Sequence, residues 1–278
     1  DNKINRQPLG GNMVVKKRKA SKTPVKRNNS LPANVGANDF ESVAKAGLES
    51  VSQEDLATPR LKILQKMSPD LDTVDGAKAG MILDTVNSKV YNGSKGILLL
   101  PVAYQRQYTE WQDRGQGTGA PVAVYDANSN ILSKTTRDDQ KKDRLPNGNY
   151  VETAANHFVI VVDDEKNGIG QPALITLKST QLKKSRKWNS MMLNTKLQGA
   201  KGPFTPPMYS HLYRLVTTEE GNDFGKWFGV EIEKEKILEN RNLFNMAKEF
   251  ADSITKGEKI AVPEEVEGRE TNREAVGF

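Results

Sequence analysis

Two apolar runs on either side of Asn167-Gly168 constrain this chain more than any other feature. Residues 157–162 read HFVIVV and residues 173–178 read ALITLK. β-Branched and aromatic residues favour strands, and Asn-Gly supplies the positive φ that a tight hairpin turn needs. The pair predicts an antiparallel hairpin spanning 150–178. A second strand, residues 96–102 (GILLLPV), continues into 104–111 (YQRQYTEW), whose alternation places Tyr104, Arg106, Tyr108 and Glu110 on one face. Further strands are expected at 81–86 and 89–91 about Asn87-Ser88, at 122–125, and at 208–216 and 226–232.

Helical spacing appears at 39–51 through Phe40, Val43, Leu48 and Val51, with Asp39 as its cap and a second cap of Ser-x-x-Asp form at 52–55. A short helix is expected at 61–67, after Pro59. Residues 181–198 predict a helix with Leu182, Trp188, Met192 and Leu193 inward and Lys183, Lys184, Arg186 and Lys187 outward. Residues 240–254 predict an amphipathic one. Residues 126–149 are polar and predict an exposed insertion. The expected class is α+β: a mainly antiparallel β core, either an open sheet or a small barrel, with two to four helices and disordered termini. Hydrophobic content of 36% and a mean hydropathy of −0.65 agree with unstructured ends. The expected division is a basic disordered arm at 1–36, a core with flanking helices at 37–256, and a mildly acidic tail at 257–278.

Little in the chain suggests catalysis. With no cysteine and only His157 and His211, disulfides, thiolate metal sites and cysteine nucleophiles are excluded. His157 and His211 both lie on expected strands, where packing is their simplest role. GQGTG at 115–119 lacks the Gly-Lys-Ser/Thr of a phosphate-binding loop. Asp84, Glu110 and Asp126 have the residue type of a two-metal site, but their spacing does not demand convergence. The expectation is no enzyme, no cofactor and no metal. No run of about 18 apolar residues and no apolar leader are present, so a protein of the cytoplasm, away from membranes, is expected.

Charge distribution points elsewhere. Residues 1–36 carry nine Lys/Arg against one Asp, whereas residues 178–218 carry eight Lys/Arg and no acid. Phosphates attract such cations through counterion release, and single-strand binders add aromatic faces for unstacked bases. Basic and aromatic residues interleave in Lys178, Lys183, Lys184, Arg186, Lys187 and Trp188, again in Tyr104, Arg106, Tyr108 and Trp111, and again in Tyr209, Tyr213 and Arg214. These thirteen are the candidate nucleic-acid-binding residues.

From about Pro59 to Glu235 the chain resembles proteins that tailed bacteriophages encode among replication and recombination genes. The stretches that carry the likeness are 59–65 (PRLKILQ), 95–104 (KGILLLPVAY), 178–192 and 204–211 (FTPPMYSH). The resemblance implies a phage single-stranded-DNA-binding protein with an OB-like barrel. The tail ending in Phe278 is similar to the terminal phenylalanine of phage replication single-strand binders, although those tails are usually far more acidic. No site residue is carried over from the family. The expected function is sequence-tolerant single-stranded DNA binding in phage replication or recombination. Expected partners are single-stranded DNA and phage replication proteins met through the tail, with homo-oligomerisation left open. The alternative is a virion or assembly protein whose basic arm contacts packaged genome or neighbouring subunits.

Overall fold

The Asn167-Gly168 hairpin lies at the centre of the sheet. The computed structural model describes residues 37–51, 55–113, 115–223, 225–257, 259 and 261–263. The arm at 1–36, the cap at 52–55 apart from Asp55, Arg114, and the tail beyond 263 lie outside the described residues. The chain divides into two units, Asp1–Ser50 and Val51–Phe278. In the first, α1 (Ala37–Glu41) is little more than one turn and is followed by further turns. The helix expected at 39–51 therefore stops early. Phe40, Val43 and Leu48 are each more than half exposed, so no buried face sustains it.

The second unit runs, in order, β1 (Leu61–Ile63), α2 (Asp70–Thr73), β2 (Ile82–Asp84), β3 (Lys89–Tyr91), β4 (Ile97–Trp111), β5 (Ala123–Asp126), β6 (Thr136–Arg137), β7 (Asp143–Arg144), β8 (Tyr150–Asp164), β9 (Ile169–Lys178), α3 (Leu182–Asn194), β10 (Leu197–Gly199), β11 (Gly202–Phe204), β12 (His211–Asn222), β13 (Gly225–Ile237) and α4 (Arg241–Thr255). All named strand pairs are antiparallel. The large sheet has the order β13-β12-β4-β8-β7-β6, with β5 beside β4 and β9 beside β8. It curls into a half-barrel, and the fold is α+β of OB-like form. Register shifts at Pro101/Ala103, Val162/Asp164 and Leu212/Tyr213 mark irregularities that bend the strands. Pro101, which has no N–H to give a ladder, sits at the first of them.

Residues 61–63 form a strand, not the expected helix. Leu61–Ile63 pairs with Ile82–Asp84, and Gly80 N donates to Leu64 O at 2.7 Å, closing a small three-stranded sheet. Long-range pairing overrides the local apolar spacing here. That sheet is fastened in two places. The buried Asp84 carboxylate accepts from Val86 N, Asn87 N, Asn87 Nδ2 and Gln171 Nε2 at 2.8–3.1 Å. Gly93 lies so close to Gly80 that a Cβ would come within 1.8 Å of the Gly80 carbonyl oxygen, so only glycine fits.

Each face of the large sheet carries a helix. Trp188 and Met192 of α3 pack with Leu99, Val159, Ile175, Tyr213 and Leu215. Leu243, Ala247, Phe250 and Ile254 of α4 pack with Leu100, Phe158, Ile160 and Leu212 on the other. Leu193, expected to face the core, is 68% exposed, because α3 ends one residue later and Trp188 and Met192 already define its buried side. The 126–149 insertion is only partly free. Ile131 is buried against Tyr108 and Val151. Arg144 is held between Asp113 (2.7 Å) and Asp138 (2.8 Å). Glu110 accepts from Tyr125 Oη at 2.6 Å, Asn147 Nδ2 at 3.0 Å and Asn149 Nδ2 at 2.6 Å.

Candidate nucleic-acid interface

Strand alternation on β4 turns Tyr104, Arg106 and Tyr108 to the face that α3 covers. The N-terminal half of α3 stands over that face and adds Leu182, Ser185 and Arg186. Thr153 and Ala155 of β8 form the floor, and Leu132 of the insertion closes one side. Together they line a cleft of about 190 Å³. Two arginines and two tyrosines face this space and no carboxylate does. Arg106 is exposed, and the neighbouring Tyr104 and Tyr108 side chains push its pKa further up, so the guanidinium is charged. Arg186 is also exposed.

Beneath the cleft the packing is rigid and aromatic. His157 Nε2 and Ser185 Oγ are 2.8 Å apart, which pins α3 to β8. The His157 ring stacks on Trp188 with centroids 4.5 Å apart and planes at 21°. Tyr104 flanks the same imidazole at 5.0 Å, and Tyr213 meets Trp188 edge-on at 5.9 Å. Burial lowers the His157 pKa to about 3, so the ring is neutral at physiological pH. His211 is likewise pushed down, by burial and then by Lys234.

The thirteen candidate residues do not form one trough. Tyr104, Arg106, Tyr108 and Arg186 meet at the cleft. Lys183 and Lys187 lie along α3 beside it, exposed and without a carboxylate partner among the described residues. The other cations are engaged: Lys184 with Glu220 (3.3 Å) and Glu231, Arg214 with Glu235, and Lys178 with Glu152 (2.8 Å). Lys178 also sits 5.8 Å over the Trp111 ring. It lines a polar hollow with Gln107, Thr109, Asn156 and Thr176, on the sheet face opposite the cleft.

Four of the six nominated rings are buried: Trp188 at 0%, Tyr213 at 1%, Trp111 at 2% and Tyr108 at 6% exposure. Tyr209 is half-buried edge-on against Phe244, on the α4 side. Trp188 and Tyr213 are therefore core, not open faces for a base; alternation and spacing do not distinguish an aromatic that fills a sheet–helix core from one left open. Leu132, Thr153 and Ser185 were not nominated. Only the three-dimensional return of β8 and of the insertion brings them to Arg106, and no local pattern marks them.

The carboxylates weighed for metal chemistry have other duties. Asp84 closes a hairpin turn and Asp126 holds Asn128 N at 2.8 Å. Burial alone would raise the Glu110 pKa, but hydrogen bonds from Asn149, Tyr125 and Asn147 hold it below the usual range. Among the described residues no group of three His, Asp or Glu is placed to hold a metal ion, and no helix is long and apolar enough to cross a membrane.

A curled antiparallel sheet with a helix on each face and a small arginine-lined cleft on one of them defines an α+β protein of OB-like form. A family model described as Pam3 phage gp34-like protein matches residues 25–260. The chain belongs to that family and is a bacteriophage protein. No curated protein and no solved structure matches it.

Proposed function

We propose that this phage protein binds single-stranded DNA without strong sequence preference, in replication or recombination of the phage genome. The carrying observation is the cleft: Arg106 and Arg186 face one space beside Lys183 and Lys187, and no carboxylate lines it. Sites for drug-sized ligands span about 300–1,000 Å³. The cleft is smaller, the size for a phosphate with part of one nucleotide. Arginine suits this role because its planar fork stays charged and matches phosphate oxygens. The OB-like form of the sheet suits the same partner, since such sheets commonly present a groove to single strands. The half-buried Tyr104 ring, which lines the cleft, offers partial stacking.

Fluorescence anisotropy of the full chain with labelled oligo(dT) and with a duplex of equal length, at two salt concentrations, tests this. Expected are binding to oligo(dT) that weakens steeply with salt and a weaker response to duplex. Absence of oligo(dT) binding at low salt would overturn it. Regular rings or filaments in negative stain without DNA would favour the assembly role instead.

A further inference from the structure

Burial of Trp188, Tyr213, Tyr108 and Trp111 leaves a single-strand binder short of stacking surface. The same acid-free segment supplies one elsewhere. After α3 the chain forms the β10–β11 hairpin, paired Leu197↔Phe204, Gln198↔Pro203 and Gly199↔Gly202. Gly202 has φ of +109°, a conformation that disfavours any side chain. A Cβ on Gly199 would meet the Phe204 ring at 3.1 Å, so the ring lies across the glycine backbone. One side of Phe204 is thereby covered by its own hairpin while the residue remains 46% exposed. From Val51 onward it is the one aromatic residue among the described residues in the exposed class. Lys201 stands exposed at the turn, and Lys196 at the base donates to Thr205 Oγ1. Pro206 and Pro207 follow at once, stiffening the exit of the hairpin.

We infer that the β10–β11 hairpin is a base-stacking platform for a single-stranded polynucleotide, with Phe204 as the stacking ring and Lys201 as its phosphate contact. This rests on the single-strand binding proposed above. The path from the cleft is continuous along α3. Lys183, Arg186 or Lys187, Ser190 and Leu193 follow one another at spacings of three or four residues on its exposed side. From Arg186 to the end of α3 at Asn194 is eight residues, about 12 Å of helix, so a strand entering at Arg106 and Arg186 passes Lys187 and arrives at the hairpin. The charge fits a polyanion, because Lys183, Arg186, Lys187 and Lys201 are exposed and have no carboxylate partner among the described residues. A half-exposed ring fixed on a glycine stacks on any base, which suits sequence-tolerant binding.

The test is oligo(dT) binding by the full chain carrying Phe204→Ala, Phe204→Trp or Lys201→Ala, with circular dichroism melts of each. Phe204→Ala is expected to weaken binding about tenfold or more without changing the salt slope. Phe204→Trp is expected to retain affinity and to add emission that oligo(dT) quenches. Lys201→Ala is expected to flatten the salt slope by about 0.7. If wild type binds and all three variants match it, with no added quenching in Phe204→Trp, the platform is wrong while single-strand binding stands. If wild type itself fails to bind, the broader proposal has failed first. Should Phe204→Ala melt early, Phe204→Trp and Lys201→Ala still decide: unquenched added emission with a wild-type slope overturns the platform.

Discussion

Trp188 separates a ring that serves the fold from one that serves a ligand. It has no exposed surface and lies between His157 and Tyr213. Removing a buried aromatic costs about 3–5 kcal/mol, so Trp188→Ala is expected to lower the urea midpoint sharply. A variant of wild-type stability that binds DNA weakly would contradict this placement. His157 carries a pH dependence of definite sign. Its folded pKa, about 3, lies below the ordinary 6.5. Protonation therefore favours the unfolded chain. The stabilisation is complete above pH 6.5 and is lost as pH falls from there toward 3, at about 1.4 kcal/mol per unit. Asp113 and Asp138, held low by hydrogen bonds from Arg144, stay charged until more acid conditions. Between pH 6.5 and about 4.5 the titration of His157 dominates, with a smaller share from His211. Urea unfolding of His157→Gln should show a shallower loss of stability over that window than wild type. Parallel curves would sink the assignment.

At the scale of elements, Asn240 joins a helix to a turn. Its Oδ1 accepts from Asn242 N at 2.9 Å and Leu243 N at 3.1 Å, capping α4, while its Nδ2 donates to Glu165 O at 2.9 Å in the β8–β9 turn. Asn240→Ala is expected to cost about 1–2 kcal/mol, read as a lower melting temperature with DNA affinity unchanged. Unaltered stability would show that the cap is dispensable. Elements whose signals are local were legible from residues alone. The Asn167-Gly168 hairpin, the alternation of β4 and the amphipathic α4 all appear where spacing and turn chemistry place them. β1 was not, because its partner Ile82–Asp84 lies twenty residues on and local spacing mimicked a helix. The β10–β11 hairpin is not legible either; its three-residue strands are too short for period-two alternation to register, and prolines at 203, 206 and 207 disfavour a regular strand there. The cleft was half legible. Tyr104, Arg106 and Tyr108 follow from strand alternation, whereas which rings remain open depends on how α3 seats, which no linear pattern contains.

At the scale of the whole molecule, each face of the large sheet carries a helix, and Arg106, Lys183, Arg186 and Lys187 bring positive charge to and beside the cleft on the α3 side. Edge strand β13 is protected from further pairing. Gln65 clips Phe228 through both its N–H (2.8 Å) and its C=O (2.9 Å), and Gln181 accepts from Val230 N at 2.9 Å. Beyond Val230 the strand continues as alternating acids and lysines, which also oppose edge-to-edge association. The most direct measurement of the central claim is the salt dependence of oligo(dT) affinity for wild type beside Arg106→Ala/Arg186→Ala. Each lost phosphate contact flattens the log–log slope by about 0.7. The double variant should therefore bind more weakly, with a slope flatter by about 1.4 and an unchanged melting temperature. An affinity and slope equal to wild type in a correctly folded double variant would contradict the account.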